Sequence, residues 1–238
     1  GARYQSASYI KDRAEFTEKY GNFFDESDLK TAQANLATFM RRLLVQRFES
    51  SKYAFQSTLN KMISSHEIIL KWWGKGYVPI QKKGDLVDPD DLEDFDSIDE
   101  IMGLIESGEE IDIDAIKRNA VPVPSELFEP AFATYVRHDL ELLQEIKSEW
   151  FADGTTGKDP KQDYVESKIA EFLHEDPSRK IVIFSSYADT AEWVYKNLRE
   201  HGFERTMLYT GGSSNEMKKV VSENFDASYD GDQKNDYD

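Results

Sequence analysis

Two short stretches carry the groups best suited to chemistry on a phosphate: "SSYADT", residues 185–190, and "TGGSS", residues 210–214. Each combines hydroxyls with the free backbone N–H groups expected where a loop enters a helix, and both kinds of donor suit a phosphate oxygen. Gly211 and Gly212 would let such a group approach the backbone closely, since they have no Cβ. The plainer reading is that these loops only turn the chain.

Other candidates are fewer. The four histidines, at 66, 138, 174 and 201, show no metal-ligand spacing and read as surface residues. No metal site is expected. Trp72 and Trp73 could stack on bases, although anchoring one of them in a core is the simpler use. Arg41, Arg42 and Arg47 could line a nucleic-acid track or form a solvated helix face. "GTTGKD", 154–159, imitates a phosphate loop, but only two residues separate its glycines and an acid follows its lysine. No G-x-x-x-x-G-K-[ST] loop occurs, so no catalytic residue or bound cofactor is assigned to this chain.

Positioning the two stretches is the work of the elements around them. "KIVIFS" is a short β-branched run that predicts a strand buried on both faces, and "RTMLYT" predicts a second. Helices are expected between them, over 189–201 with Gly202 as its cap, and after them, over 214–225. Strand–helix–strand–helix with short turns predicts a parallel α/β unit, with ligands at the carboxyl ends of its strands. Upstream, apolar positions at helical spacing predict helices over about 29–48 and 52–73, joined at Ser50–Ser51 and closed by Gly74 or Gly76. Two more are expected over about 131–150 and 162–174. "VPVPSELFEP", 121–130, reads as a proline-punctuated linker. The fold class is therefore α/β, with a mainly helical first part.

Charge is distributed unevenly. The net charge of −17 argues against a polyanionic partner, but 85–114 holds fourteen acidic residues and no base. The remainder carries 32 acidic against 29 basic residues, and 30–83 carries ten bases against two acids. The acidic segment is expected to be exposed, partly unordered and peripheral. The absence of cysteine excludes disulfides, and no apolar run reaches transmembrane length. A cytoplasmic, non-membrane protein is the simplest expectation.

The stretches "KIVIFSSYADTAEWVYKNL" and "TMLYTGG", with Lys218 seven residues before Phe225, resemble the C-terminal RecA-like lobe of superfamily 2 helicases of the Swi/Snf type. "RRLLVQRFESSKYAFQSTL", 41–59, is similar to the helical segment that bacterial members place between their two motor lobes. Together the matches cover about half the chain. The resemblance implies that Ser185, Ser186, Tyr187 and Thr190, with Thr210, Gly211, Gly212 and Lys218, touch a nucleic-acid backbone, most simply that of double-stranded DNA. Phe184 of the same motif is expected in the core. The resemblance further implies a parent ATPase using ATP and Mg²⁺, whose phosphate loop and arginine motif would lie outside this chain.

The expected organisation is a polar lead-in (1–28), a helical hairpin (29–84), an acidic insertion with a proline linker (85–130), and a helix followed by a truncated RecA-like lobe (131–238). Alternatives are an RNA helicase or restriction-type translocase lobe, a non-enzymatic interaction module whose segment 85–114 recruits a basic protein, and a free-standing nucleotide-binding domain.

Overall fold

The computed structural model describes residues 1–22, 26–81, 120–152, 157 and 159–238; for 26–36, 81 and 120 it describes the backbone alone. The acidic segment 85–114 lies outside the described residues. The helices are α1 (Arg13–Tyr20), α2 (Glu26–Ser50), α3 (Lys52–Gly74), α4 (Ala131–Trp150), α5 (Pro160–Glu175), α6 (Ala188–Glu200) and α7 (Asn215–Phe225). Two strands, β1 (Tyr77–Gln81) and β2 (Ala120–Pro124), form an antiparallel pair. The described chain is thus mainly helical with a small two-stranded sheet. It divides into two compact units: Gly1–Leu44 with Thr58–Ala152, and Val45–Ser57 with Asp153–Asp238.

The first unit is built on the β pair. Val78, Ile80, Val121 and Val123 alternate along it and are almost wholly buried, as one face of a period-2 strand should be. Pro79 faces Pro122 across the pair. Neither has an N–H to give, so they fit where ladder groups point away from the partner strand. The Ser125 N–H bonded to the Gly76 carbonyl at 2.7 Å keeps the same alternation one step further out. Prolines on both outer edges also block addition of another strand. Residues 121–124, expected as part of a linker, are therefore a buried strand, because a proline is harmless at each position whose N–H would face outward.

Phe128, Phe132 and Val136 of the following turn and α4 pack on this face, with Ile69 of α3 and Phe16 of α1. The lead-in joins the same core. Tyr4 and Ala7 are buried in a run of 3-10 turns, Ala2–Tyr9, and Asp12 caps α1 through the N–H groups of Ala14 and Glu15. Trp72 is buried and Trp73 packs its ring 5.7 Å from that of Phe132, so both tryptophans are core anchors. Gly76, at φ +90°, is the glycine that ends α3. His66 is buried, contrary to the expected surface position: it lies one turn from Met62 and one turn from Ile69 and Leu70, on the same stripe. The other three histidines are exposed.

The second unit holds the ends of α2 and α3 that meet at Ser50–Ser51, with α5, α6, α7 and the C-terminal segment. α6 closes as expected at Gly202, with φ +91°. The Phe203 N–H reaches the Leu198 carbonyl at 2.9 Å, and that of Gly202 reaches Arg199 at 3.3 Å, the paired bonds of a glycine-closed helix end.

The expected strands at 180–185 and 205–210 are not formed. These segments make no backbone hydrogen bonds to each other, so the parallel ladder expected there is absent. Val182, Ile183 and Phe184 are 57, 48 and 92% exposed, which reverses the expected burial, most sharply for Phe184. An apolar β-branched run has strand propensity, but a strand exists only where another backbone pairs with it. What the structure does gather is the beginnings of the segments. Lys180 Nζ donates to Asn235 Oδ1 at 2.6 Å and to the Tyr237 carbonyl. Arg205 pairs with Asp238, and the Asp238 N–H returns to the Arg205 carbonyl at 3.0 Å.

Candidate nucleic-acid interface

The junction of α2 and α3 is where sequence-distant candidates come together. Ser50 and Ser51 break the helix because their hydroxyls compete for backbone groups. Ser51 then caps α3 by accepting the Ala54 N–H at 3.0 Å. Asp159 caps α5 through Lys161 and Gln162, and its second oxygen accepts the Lys52 N–H at 3.1 Å. Lys161 Nζ meets the carbonyls of Glu49 and Ser50 at 2.8 and 3.0 Å. An acid thus sits at the N-terminus of α3 and a cation at the C-terminus of α2, each matching the partial charge of its helix end. The acid that spoils the resemblance of "GTTGKD" to a phosphate loop has this structural task.

α6 docks on the same junction. The Arg47 guanidinium forms a two-point pair with Asp189, with Nη1 to Oδ1 at 2.9 Å and Nη2 in close contact with Oδ2. The guanidinium also lies over the Tyr187 ring, 4.5 Å from its centroid. Thr190 Oγ1 lies 2.9 Å from Ser50 Oγ and 3.1 Å from Ser51 Oγ. The rings of Tyr53 and Trp193 stack at 4.8 Å and 3°. Arg47 is 6% exposed, so it belongs to this packing and not to a basic track, whereas Arg41 and Arg42 are exposed.

The candidates therefore separate into two kinds. Tyr187 is half-buried and Thr190 buried, both held against residues 46–51. Ser185, Ser186, Gly211, Gly212 and Lys218 are exposed, and Thr210 is half-buried. The Ser185 hydroxyl closes a local turn with the N–H and carbonyl of Tyr187, at 3.2 and 3.1 Å. In the second loop the Thr210 N–H reaches Ser213 Oγ at 2.9 Å, and Ser214 caps α7. Among the described residues nothing in the protein accepts the N–H of Gly211 or Gly212. Neither glycine has a positive φ, and a Cβ on Gly211 would meet nothing within 4 Å. The fold itself therefore does not require glycine there. No hydrogen bond or ion pair among the described residues joins this loop to 185–187.

Comparison with family models, with curated proteins and with solved structures finds no match. The site is therefore read from its own chemistry. Its exposed groups are hydroxyls, free N–H donors and one lysine, which can hold an oxyanion. Among the described residues no cluster of acids and histidines could hold a metal ion. An open cavity of about 370 Å³, bordered by Ile169, Ile181, Leu198 and Arg205, contains none of the candidate residues.

Two groups were missed in the sequence. In the sequence Asp189 enters only as the start of a helix, and Arg47 only as part of a nucleic-acid track or a solvated helix face. Arg47 continues the stripe of Met40 and Leu43, both buried, and that spacing was the available signal.

Proposed function

We propose that the chain is the inter-lobe helical segment and part of the second RecA-like lobe of a Swi/Snf-type, ATP-dependent helicase or translocase, and that it contributes backbone contacts to duplex DNA. One observation carries the reading. The two regions that bear the resemblance, 41–59 and 180–212, are far apart in sequence, yet Arg47, Ser50, Ser51 and Tyr53 meet Asp189, Thr190 and Trp193. Two motifs inherited together should form one packed unit; two chance likenesses need not.

The clustering of Lys180, Arg205 and Asp238 also supports it, because parallel strands of such a lobe begin side by side. Ser185, Ser186, Gly211, Gly212 and Lys218 would then be backbone contacts, while Tyr187 and Thr190 would shape the loop that carries the first two. Thr210 would anchor the second loop. ATP and Mg²⁺ would be held by other parts of the parent protein, and DNA movement would follow closure of its two lobes. The test is fluorescence anisotropy with labelled duplexes of two unrelated sequences at low salt. Equal binding to both, weakened by Ser186→Ala with Gly212→Val, supports the reading. Sequence-independent contacts give this pattern. Binding that the double substitution leaves unchanged opposes it.

A second reading is favoured by the exposure of Val182, Ile183 and Phe184. An unpaired apolar segment is a surface on which another protein can add a strand. In this reading the chain is an interaction module, and segment 85–114 would supply the acidic face for a basic partner. Binding to basic protein with none to DNA would select it.

A further inference from the structure

We propose that Arg47 is the positioning residue of the 185–187 loop, so that the α2–α3 junction governs how Ser185 and Ser186 meet a phosphate backbone. The inference rests on the nucleic-acid reading for its ligand, but its geometry stands independently. A guanidinium that is 6% exposed must be paired, because an unpaired buried charge is strongly unfavourable. Of its partners, Tyr187 adjoins the exposed pair and Asp189 stands in the first turn of the helix that follows. One planar group therefore fixes a ring by its face and a carboxylate by two donors, which a lysine ammonium cannot do. Thr190 is clamped by Ser50 and Ser51 one residue further on. The loop is thus held from its C-terminal side, and Ser185 and Ser186 are presented outward from that anchor.

Charge gives the arrangement a second consequence. Asp189 stands in the first turn of α6, where a bare carboxylate would repel a phosphate approaching Ser186. Arg47 neutralises it from the inner side. Losing Arg47 should therefore both loosen the loop and leave an uncompensated negative charge beside it.

The experiment compares the 238-residue chain with Arg47→Met, which keeps the stem's bulk, and Arg47→Lys. Amide hydrogen exchange is read at 185–190 and, as a reference, across α7. In Arg47→Met, exchange at 185–190 should rise, and duplex affinity fall, by about tenfold, the scale of one charge-assisted bond. Exchange in α7 should not change, and Arg47→Lys should restore only part of the loss. If Arg47→Met does not fold, Asp189→Asn, which retains the shape and breaks the same two-point pair, should likewise raise exchange at 185–190 and leave α7 unchanged. Unchanged exchange at 185–190 in a folded variant would overturn the proposal, as would a uniform rise that includes α7. If the unsubstituted chain binds no duplex, the nucleic-acid reading falls, while the exchange result still decides the positioning role.

Discussion

Asp159 uses its two carboxylate oxygens on two helices: Oδ1 accepts the N–H groups that open α5, and Oδ2 accepts the Lys52 N–H that opens α3, at 3.1 Å. Each is a helix-capping bond worth about 1 kcal/mol. Asp159→Ala should therefore lower the stability of the second unit by about 2 kcal/mol in urea denaturation, and Asp159→Asn, which keeps one acceptor oxygen and loses the other, by about half as much. Equal losses for the two would show that something other than capping is at stake.

His66 makes the first unit acid-sensitive. Burial, and then the nearby Arg3 charge, push it down to about 4, while its Nδ1 lies 2.7 Å from the Met62 carbonyl. The unfolded chain takes up a proton near pH 6.5, so between about pH 6.5 and 4 it binds more protons than the folded one. Stability from this group is complete above that window and is lost as pH falls through it. Unfolding at about pH 7.5 and 4.5 should differ by an extra 2–3 kcal/mol, roughly, relative to His66→Phe. A variant with the same acid loss as the original chain would refute this assignment.

Phe128 and Phe184 should respond oppositely to substitution. Phe128 is wholly buried and Phe184 is 92% exposed. Phe128→Ala should cost about 3–5 kcal/mol. Phe184→Ser should change stability by roughly 0.5 kcal/mol or less. A large loss from Phe184→Ser would mean that the residue is packed.

On the proposed reading the chain by itself should turn over no ATP, with or without DNA, because the sequence contains no G-x-x-x-x-G-K-[ST] loop by which such a motor holds the phosphates. A phosphate-release assay on material taken through successive columns checks this. Turnover that DNA stimulates and that remains constant per mole of protein would contradict it.

Legibility in the sequence followed local physics. α4 was readable at both ends, and Gly202 at the end of α6, because periodicity and glycine closure are written in neighbouring residues. β2 was hidden because its prolines mimic a linker, and their harmlessness depends on the opposing register with β1. α1 had a signal that was passed over, Asp12 three residues before Glu15. The burial of Arg47 and His66 depended on reading a polar residue in an apolar stripe as paired core. The run at 180–185 shows the converse limit: its composition is that of a buried strand, but composition does not supply the backbone that would pair with it. At the candidate site, Ser185, Ser186, Gly211 and Gly212 could be named by residue type, whereas the contact of Arg47 with the segment after the serines spans 142 positions of sequence to Asp189.

A two-dimensional amide NMR titration of the chain with a short DNA duplex at low salt tests the nucleic-acid reading at its site. Shifts should be concentrated at Ser185, Ser186, Gly211, Gly212 and the α7 turn bearing Lys218, the same for two unrelated sequences and reversed by added salt. Shifts confined to other surfaces, or none at any duplex concentration, would contradict it.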